Sequence, residues 1–280
     1  MPDIRFLLKV SRPRFWIYIF GPYIVGLAAG ANVKEEFLRI DALIFGLFFL
    51  FPANLLIYGI NDIFDFETDR WNPKKIKYET LVRPQSHGWL IFWIAVLNIP
   101  FIVAVCFFAP LALPSLAGFL FFSLFYSAPP IRAKQIPFLD SLFNILYVFP
   151  GAFAYQMLTG SFPSFAVLLA AGSWTMAMHA YSAIPDIKVD EKAGVPTIAT
   201  ELGANGTLWF CMACYLISTF VTLFIGSPVS ILGLIYVSLV RYSFYETDDN
   251  GIFSVYRFFP YINAVSGFFI FWSVAWSKFF

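Results

Sequence analysis

The sequence predicts an all-α protein that crosses a membrane several times. Of its 280 residues, 60% are hydrophobic and 12% are charged, whereas the apolar fraction of a soluble domain is typically about 45–50%. The mean hydropathy is positive, and the apolar residues are concentrated in runs of about 20, the length at which a helix crosses a bilayer. Since no long linker or low-complexity tract separates these runs, we predict a single transmembrane domain over residues 1–280.

The apolar runs predict nine membrane-spanning helices. Pro100, Pro110 and Pro114 interrupt one continuous apolar region, which can therefore be divided into spans at more than one place. The predicted spans cover residues 14–31, 41–61, 88–107, 110–127, 138–158, 164–184, 206–225, 228–245 and 258–276.

The positions of Lys and Arg predict the orientation of these spans, because cytoplasmic loops carry an excess of both residues. With the N-terminus inside, all but three of the 18 Lys and Arg residues fall in inner segments, and the exceptions are Lys34, Arg39 and Lys278. We therefore predict an integral protein of a cell inner membrane, with its N-terminus in the cytoplasm. The net charge of +1 and the lack of a basic patch argue against a nucleic-acid partner.

A cluster of oxygen-bearing side chains ends the second predicted span, in the segment 61–69 (NDIFDFETD). On a continuous helix, Asn61, Asp65 and Asp69 are four residues apart and form one stripe. Carboxylates at this spacing repel one another, and Mg²⁺, which takes oxygen ligands and commonly keeps a phosphate as a further ligand, would relieve the repulsion. The alternative is a solvated helix end at the membrane surface.

A second acidic pair, Asp186 and Asp190, repeats the four-residue spacing at the end of the sixth predicted span. Both clusters fall on the predicted cytoplasmic side, so we expect them to face one another across a cavity and to hold two or more Mg²⁺ ions with a diphosphate between them. Such an arrangement suits the ionisation of an allylic diphosphate. Asp62, on a neighbouring face of the first cluster, is either another ligand or a cap for the following loop.

The two clusters together resemble the first (N-D-x-x-D-x-x-x-D) and second (D-x-x-x-D) aspartate motifs of the UbiA superfamily of intramembrane prenyltransferases. The resemblance covers nearly the whole chain and implies an all-α bundle around a central cavity that opens to the cytoplasmic side, with a lateral opening to the bilayer. It also implies Mg²⁺-dependent transfer of an allylic prenyl group from an isoprenyl diphosphate to a lipophilic acceptor. The catalytic residues would be Asp65, Asp69, Asp186 and Asp190, and the metal ligands would be these four with Asn61 and Asp62.

Five segments resemble, more narrowly, the lycopene elongase branch, which adds a five-carbon prenyl unit to the end of a carotenoid. This branch implies attack of the allylic cation on an acceptor alkene, followed by loss of a proton or capture of water. Superfamily members with aromatic acceptors often carry an Asn and an Arg just before the second motif, which this chain lacks. The five segments are 61–65 (NDIFD), 72–75 (NPKK), 126–130 (YSAPP), 138–141 (FLDS) and 182–186 (SAIPD).

Basic residues in the predicted inner loops are candidates for binding the diphosphate, because Lys and Arg form charge-assisted hydrogen bonds with phosphate oxygens. Ordinary positive-inside charge accounts for each of them equally well. These basic candidates are Lys77, Arg83, Arg132 and Lys134, with Arg12 as a weaker one. The neutral Asn61 of the first cluster is a further candidate for binding the diphosphate.

Polar and aromatic residues within or at the ends of the spans are candidates for lining the cavity or binding the acceptor. Polar groups are costly inside a bilayer, and aromatic faces attract a cation. The alternatives are an N-terminal helix cap for Asp140, a structural hydrogen bond for His179, and packing against lipid or core for the tyrosines. The candidates are Asn54, Asp140, Asn144, Tyr126, Tyr147, Tyr155, His179 and Tyr181.

Three other functions remain open from the sequence. The acceptor could be a quinone precursor, a haem, a chlorophyll side chain or a glycerol lipid; the protein could be a terpene cyclase without an acceptor; or it could be an ion-coupled transporter. A transporter predicts charged residues near the middle of the bilayer, whereas here the carboxylates cluster at the ends of spans.

Overall fold

The computed structural model describes residues 3–70, 80–246 and 249–280, apart from the side chains of residues 68, 69, 249 and 250. Within these ranges every regular element is an α-helix or a 3₁₀ helix, and there is no β-strand. The prediction of an all-α fold is confirmed. The α-helices are α1 (Ile4–Val10), α2 (Ile17–Gly30), α3 (Ile40–Leu50), α4 (Pro52–Phe64), α5 (Phe66–Asp69), α6 (His87–Phe108), α7 (Leu113–Ser127), α8 (Leu139–Leu142), α9 (Phe149–Thr159), α10 (Phe165–Ala183), α11 (Ile187–Ala193), α12 (Ile198–Phe224), α13 (Ser230–Ser243), α14 (Asp249–Tyr256) and α15 (Phe259–Phe279).

Five helical stretches in the described part of the chain are long and apolar enough to cross a membrane, and a sixth counts if α8 and α9, broken at Val148, form one span with the intervening 3₁₀ turn. The predicted count of nine is not confirmed. The first and eighth predicted spans form helices of only 14 residues, α2 and α13. The five stretches are Ile40–Phe64, Pro84–Phe108, Pro110–Ser127, Ile198–Phe224 and Gly251–Phe279.

The chain divides into two compact units. Unit 1 comprises residues 1–132, 149–162 and 278–280, and unit 2 comprises residues 133–148 and 163–277. The first acidic motif therefore lies in unit 1 and the second in unit 2. The prediction of a single domain is not tested by this division and stays a prediction.

In unit 1, α2 packs along α9, and α4 packs against α6 and α7. The contact between α2 and α9 depends on small residues, because a Cβ atom on Gly26 would overlap the carbonyl oxygen of Gly151. Small residues let helix backbones approach closely in membrane proteins. The Tyr23 hydroxyl then ties α2 to the start of α3 by donating to the carbonyl oxygen of Ala42 at 2.7 Å.

The helix that leads to the first acidic motif is broken at Phe51. Pro52 has no N–H to continue the helix, and α3 ends at Leu50. The buried Asn54 repairs the break, because its Nδ2 donates to the carbonyl oxygens of Phe49 and Leu50, each at 3.0 Å. Asn54, a cavity candidate, thus has a structural role in this break, and its place beside a cavity stays a prediction.

In unit 2, α10 packs against α12, and α12 packs against α13. The phenol group of Tyr181 makes a 2.6 Å hydrogen bond with the hydroxyl of Ser243 at the end of α13. Helix α12 begins eight residues before the predicted span, after a Thr197–Thr200 capping box, and contains a kink at Gly203, where φ is 64°. Glycine is the residue that adopts this backbone conformation without steric cost.

Candidate active site

The first acidic motif lies where α4 ends. Helix α4 ends at Phe64, Asp65 follows with non-helical angles (φ −103°, ψ 3°), and α5 begins at Phe66. The prediction of one continuous helical stripe from Asn61 to Asp69 is therefore wrong beyond Asp65, since Asp is a poor helix former and favours helix ends. The first part of the register is kept, because the Asp65 N–H donates to the Asn61 carbonyl oxygen at 2.9 Å.

Asn61 is oriented by α7. Its Nδ2 donates to the hydroxyl oxygen of Ser127, the last residue of that helix, at 3.1 Å. Because the amide nitrogen is used in this bond, the amide oxygen Oδ1 is the group that Asn61 offers to a ligand.

Asp62 is buried and forms an ion pair with Arg12. The Nη2 atom of Arg12 lies 2.6 Å from the Asp62 Oδ1, and the guanidinium lies 4.6 Å from the centre of the Tyr58 ring. Arg12 stands at the turn before α2, in the left-handed region (φ 52°, ψ 70°). The weaker diphosphate candidate of the sequence is thus the counter-ion of one motif carboxylate.

Asp65 is fully buried and lies close to Arg132. The distance from the Arg132 Nη2 to the Asp65 Oδ1 is 3.7 Å, and the same Nη2 donates to the Phe64 carbonyl oxygen at 3.0 Å. Arg132 thereby contacts both the last backbone carbonyl of α4, at Phe64, and the acidic side chain of Asp65 that follows it.

The donors of the first motif are of the type that Mg²⁺ takes, namely carboxylate and amide oxygens. Among the described side chains, which do not include Asp69, no group of three His, Cys, Asp or Glu residues is placed to hold a metal ion by itself. The side-chain oxygens of Asn61, Asp62 and Asp65 are therefore suitable ligands for a hard divalent cation. A complete site needs further oxygen ligands.

The second acidic motif follows α10 in unit 2. Pro185 has no N–H to bond the Tyr181 carbonyl, and the N–H of Ile184 bonds it instead, so α10 gives way to a 3₁₀ turn over Ile184–Asp186. Asp186 then stands at the N-cap position of α11, and Asp190 lies in its first turn. Asp186 and Asp190 are both half-buried.

Asp140 and Asn144 form a connected group at the start of the fifth predicted span. The buried carboxylate of Asp140 accepts the backbone N–H of Ile198 at 2.8 Å and that of Ser141 at 2.7 Å. Asn144 donates to the Asp140 carbonyl oxygen at 2.7 Å, and the His179 Nε2 lies 4.0 Å from the Asp140 Oδ2. Asp140 therefore caps a helix, as one interpretation of the sequence expected, but the helix is α12 and not its own.

The tyrosine candidates differ in their surroundings. Tyr181 is fully buried in the core of unit 2, where its ring stacks on Phe259 at 4.7 Å. Tyr126, Tyr147 and Tyr155 are half-buried. A role of any of them in binding the acceptor stays a prediction.

The remaining basic candidates are only partly described. Arg83 is exposed and Lys134 is half-buried, whereas Lys77 lies outside the described residues, as does the side chain of Asp69.

Sequence reasoning missed several residues that hold the motifs. Ser127 orients Asn61, Ser243 bonds Tyr181, and the buried Asn98 donates to the carbonyl oxygen of Pro52 at 3.1 Å. Only Asn98 carried a signal, a polar side chain inside an apolar span. The serines are common in spans and give no such signal.

The chain matches the model of the UbiA prenyltransferase family over residues 19–276. It is 37% identical over 281 residues to a lycopene elongase/hydratase of Haloferax volcanii, covering 97% of this chain and 89% of that protein. It is 40% identical over 239 residues to a lycopene elongase/hydratase of Halobacterium salinarum, covering 84% of this chain and 85% of that protein.

Among solved structures, a UbiA homolog from Archaeoglobus fulgidus bound to GPP and Mg²⁺ has a TM-score of 0.66 at 18% identity, covering 95% of this chain and 99% of that one. This likeness concerns the fold. Together with the apolar helices, these matches establish an integral membrane protein, and the chain belongs to the UbiA prenyltransferase family.

Proposed function

We propose that this prenyltransferase transfers an allylic prenyl group from an isoprenyl diphosphate to the end of a carotenoid such as lycopene, within the membrane and with Mg²⁺. The observation that carries the proposal is the identity of 37% and 40%, over most of the chain, to two proteins named lycopene elongase/hydratase. The donor class and the metal are supported by the GPP and Mg²⁺ bound to the structural relative from Archaeoglobus fulgidus.

The two acidic motifs supply the oxygen ligands for the metal in this proposal. When bound, Mg²⁺ neutralises the charge that develops on the leaving diphosphate. We assign this role to Asn61, Asp65, Asp69, Asp186 and Asp190. Asp62 was also a candidate ligand, but because it already pairs with Arg12, we assign it the role of holding the N-terminal segment to α4.

The basic residues bind the diphosphate oxygens through charge-assisted hydrogen bonds. We assign this role to Lys77, Arg83, Arg132 and Lys134. Arg132 has a second role, because it also holds the end of α4 beside Asp65.

The transfer itself replaces a C–O bond with a C–C bond. The diphosphate leaves with the electron pair of the C–O bond, the acceptor alkene supplies the electrons of the new C–C bond, and the resulting cation loses a proton or gains a hydroxyl group from water. The apolar surroundings in the membrane protect the allylic cation from water before the acceptor reacts, and half-buried aromatic rings such as Tyr126, Tyr147 and Tyr155 attract it. The lipophilic acceptor enters from the bilayer.

We place the acidic motifs and the N-terminus on the cytoplasmic side of a cell inner membrane, in one domain with about nine spans. The excess of Lys and Arg in the predicted inner segments supports this orientation.

The test is an assay of the purified protein in lipid nanodiscs with lycopene, labelled dimethylallyl diphosphate and Mg²⁺. We expect labelled carotenoid that requires Mg²⁺ and disappears with a chelator. Label found only in an aromatic acceptor would overturn the carotenoid proposal. Diphosphate release at the same rate without any acceptor would instead argue against prenyl transfer as the reaction.

A further inference from the structure

Asp140 is a buried junction between three elements of unit 2. Its carboxylate accepts the N–H of Ile198 through Oδ2 and the N–H of Ser141 through Oδ1. The Oδ2 atom lies 4.0 Å from the Nε2 of His179 on α10, and the residue has no exposed surface. Asp140 therefore contacts its own helix α8, the helix α10 and the first residue of α12.

The contact with Ile198 is favourable for an electrostatic reason. Ile198 is the first residue of α12, whose first N–H groups have no partner within the helix. A carboxylate at this end interacts favourably with the positive end of the helix dipole. The bond therefore fixes where α12 begins relative to α8.

Along the chain, the second acidic motif lies between His179 and Ile198, which both contact Asp140. Asp186 and Asp190 follow His179 on α10 and precede Ile198 on α12. The segment that carries them begins with the 3₁₀ turn at Ile184–Asp186 and includes Gly194, which has a positive φ of 65°. The segment thus leaves one helix that contacts Asp140 and enters a second that is bonded to it.

We propose that Asp140 is a positioning residue for the second acidic motif: by holding the start of α12 beside α10, its carboxylate sets the separation of the two ends of the segment that carries Asp186 and Asp190. This inference rests on the proposed function only in taking Asp186 and Asp190 as metal ligands. Each carboxylate oxygen of the buried Asp140 accepts a backbone N–H group, and the proposal gives Asp140 no contact with the metal or the substrates.

The test measures metal binding without the acceptor. Mn²⁺ binding to the full chain in nanodiscs, with inorganic diphosphate present, is followed by electron paramagnetic resonance, and the Mg²⁺ concentration at half-maximal turnover is measured in parallel. Asp140→Asn keeps the size of the side chain but offers one acceptor oxygen to two N–H groups. We expect Mn²⁺ binding to weaken about tenfold, the usual effect of losing a residue that orients a metal ligand, and turnover to recover at high Mg²⁺.

Two control variants separate positioning from loss of stability. Tyr236→Phe removes buried hydrogen bonds to Asn263 and Ser266 elsewhere in unit 2, and Thr197→Ala removes the N-cap side chain of α12 without touching Asp140. We expect both to lower the unfolding temperature and to leave Mn²⁺ binding unchanged. Equal weakening in Thr197→Ala would overturn the proposal, because helix capping alone would then explain the effect.

The outcome is also separable from that of the proposed function. Weak Mn²⁺ binding in Asp186→Asn with normal binding in Asp140→Asn would overturn only this inference, whereas normal binding in Asp186→Asn would overturn the role of the second motif. Should Asp140→Asn not fold, Asp140→Glu keeps the charge and displaces the carboxylate by one methylene; normal Mn²⁺ binding there would equally overturn the proposal.

Discussion

The two acidic motifs differ in the burial of their carboxylates. In the first, Asp62 and Asp65 are buried, and a guanidinium lies beside each of them, that of Arg12 at 2.6 Å and that of Arg132 at 3.7 Å. The carboxylates of this motif are therefore balanced by cations that fold with them in unit 1.

The carboxylates of the second motif are more exposed than Asp62 and Asp65 of the first. Asp186 and Asp190 are only half-buried, and the segment that carries them is fixed near its two ends, by the bond of Tyr181 to Ser243 and by the cap of Asp140 on α12.

This difference predicts how each motif responds to mutation. Removing a buried charge from a pair leaves the other charge without compensation, so changes in the first motif alter stability as well as activity. Changes of the half-buried carboxylates in the second motif cost less stability and report more directly on the reaction.

The largest effect that we expect is on turnover, in Asp186→Asn. Loss of a metal ligand is expected to lower turnover by more than about a hundredfold, the upper end of what residues that only orient a ligand contribute. The unfolding temperature should stay close to that of the parent protein, because Asp186 is half-buried. Turnover with labelled dimethylallyl diphosphate and thermal unfolding in detergent measure the two quantities.

Glu191→Gln is the matched control for this variant, because it makes the same acid-to-amide change at an exposed position of the same helix. It should keep normal turnover. Near-normal turnover in Asp186→Asn would argue against metal binding by the second motif.

The next effect is on stability, in Arg12→Met. Breaking a buried ion pair by removing one partner costs about 3–5 kcal/mol, and since Arg12 is partly exposed we expect a loss of about 3 kcal/mol in the free energy of unfolding. The double variant Arg12→Met/Asp62→Asn should regain part of this loss, because no charge is then left without its counter-ion. Chemical unfolding of the parent protein, Arg12→Met, Asp62→Asn and the double variant gives the coupling energy.

Arg14→Met serves as the control, since Arg14 is exposed and lies over the ring of Phe15. Its effect should be within about 0.5 kcal/mol. Equal losses in Arg12→Met and Arg14→Met would mean that the pair with Asp62 contributes nothing.

A smaller effect on stability is expected in Tyr181→Phe, which removes the hydroxyl that bonds Ser243 near the second motif. The Ser243 hydroxyl keeps its bond to the Leu239 carbonyl oxygen in this variant, so the loss should be no more than about 1.5 kcal/mol, the net value of one hydrogen bond. Ser243→Ala instead leaves the buried Tyr181 hydroxyl without its partner, which costs about 1–3 kcal/mol. The double variant Tyr181→Phe/Ser243→Ala should therefore be more stable than Ser243→Ala, because no buried phenol hydroxyl is then left without a partner. Additive losses in the double variant would show that the two hydroxyls do not depend on each other.

The sequence predicted what is encoded locally. The all-α fold and the acidic cluster at the end of the second predicted span follow from hydrophobicity and spacing. The helix break at Phe51 could also be anticipated from Pro52, but the end of α4 at Asp65 could not, because a run of four-residue spacings looks the same whether or not the helix continues.

The partners of the acidic residues could not be predicted, because they come from distant parts of the chain. Arg12 precedes Asp62 by 50 residues, and Asp140 precedes the N–H that it caps by 58. The sequence offered a helix-capping role for Asp140, and only the tertiary structure assigns the cap to α12. Spacing along one element determines which side chains share a face, whereas packing determines which faces meet.

The smallest effect on stability is expected in Arg83→Ala. This variant tests binding of the diphosphate donor, whereas the preceding ones test the acidic motifs and their contacts. Arg83 is exposed, so the free energy of unfolding should change by less than about 0.5 kcal/mol. If Arg83 binds the diphosphate, the KM for dimethylallyl diphosphate should nevertheless rise several-fold with little change in kcat, since the lost interaction is made equally in the bound substrate and in the transition state. Lys9→Ala, at another exposed basic residue that is predicted to face the cytoplasm, should leave KM unchanged. An equal rise in KM for both variants would indicate that general positive charge attracts the donor, and that Arg83 has no specific role in binding it.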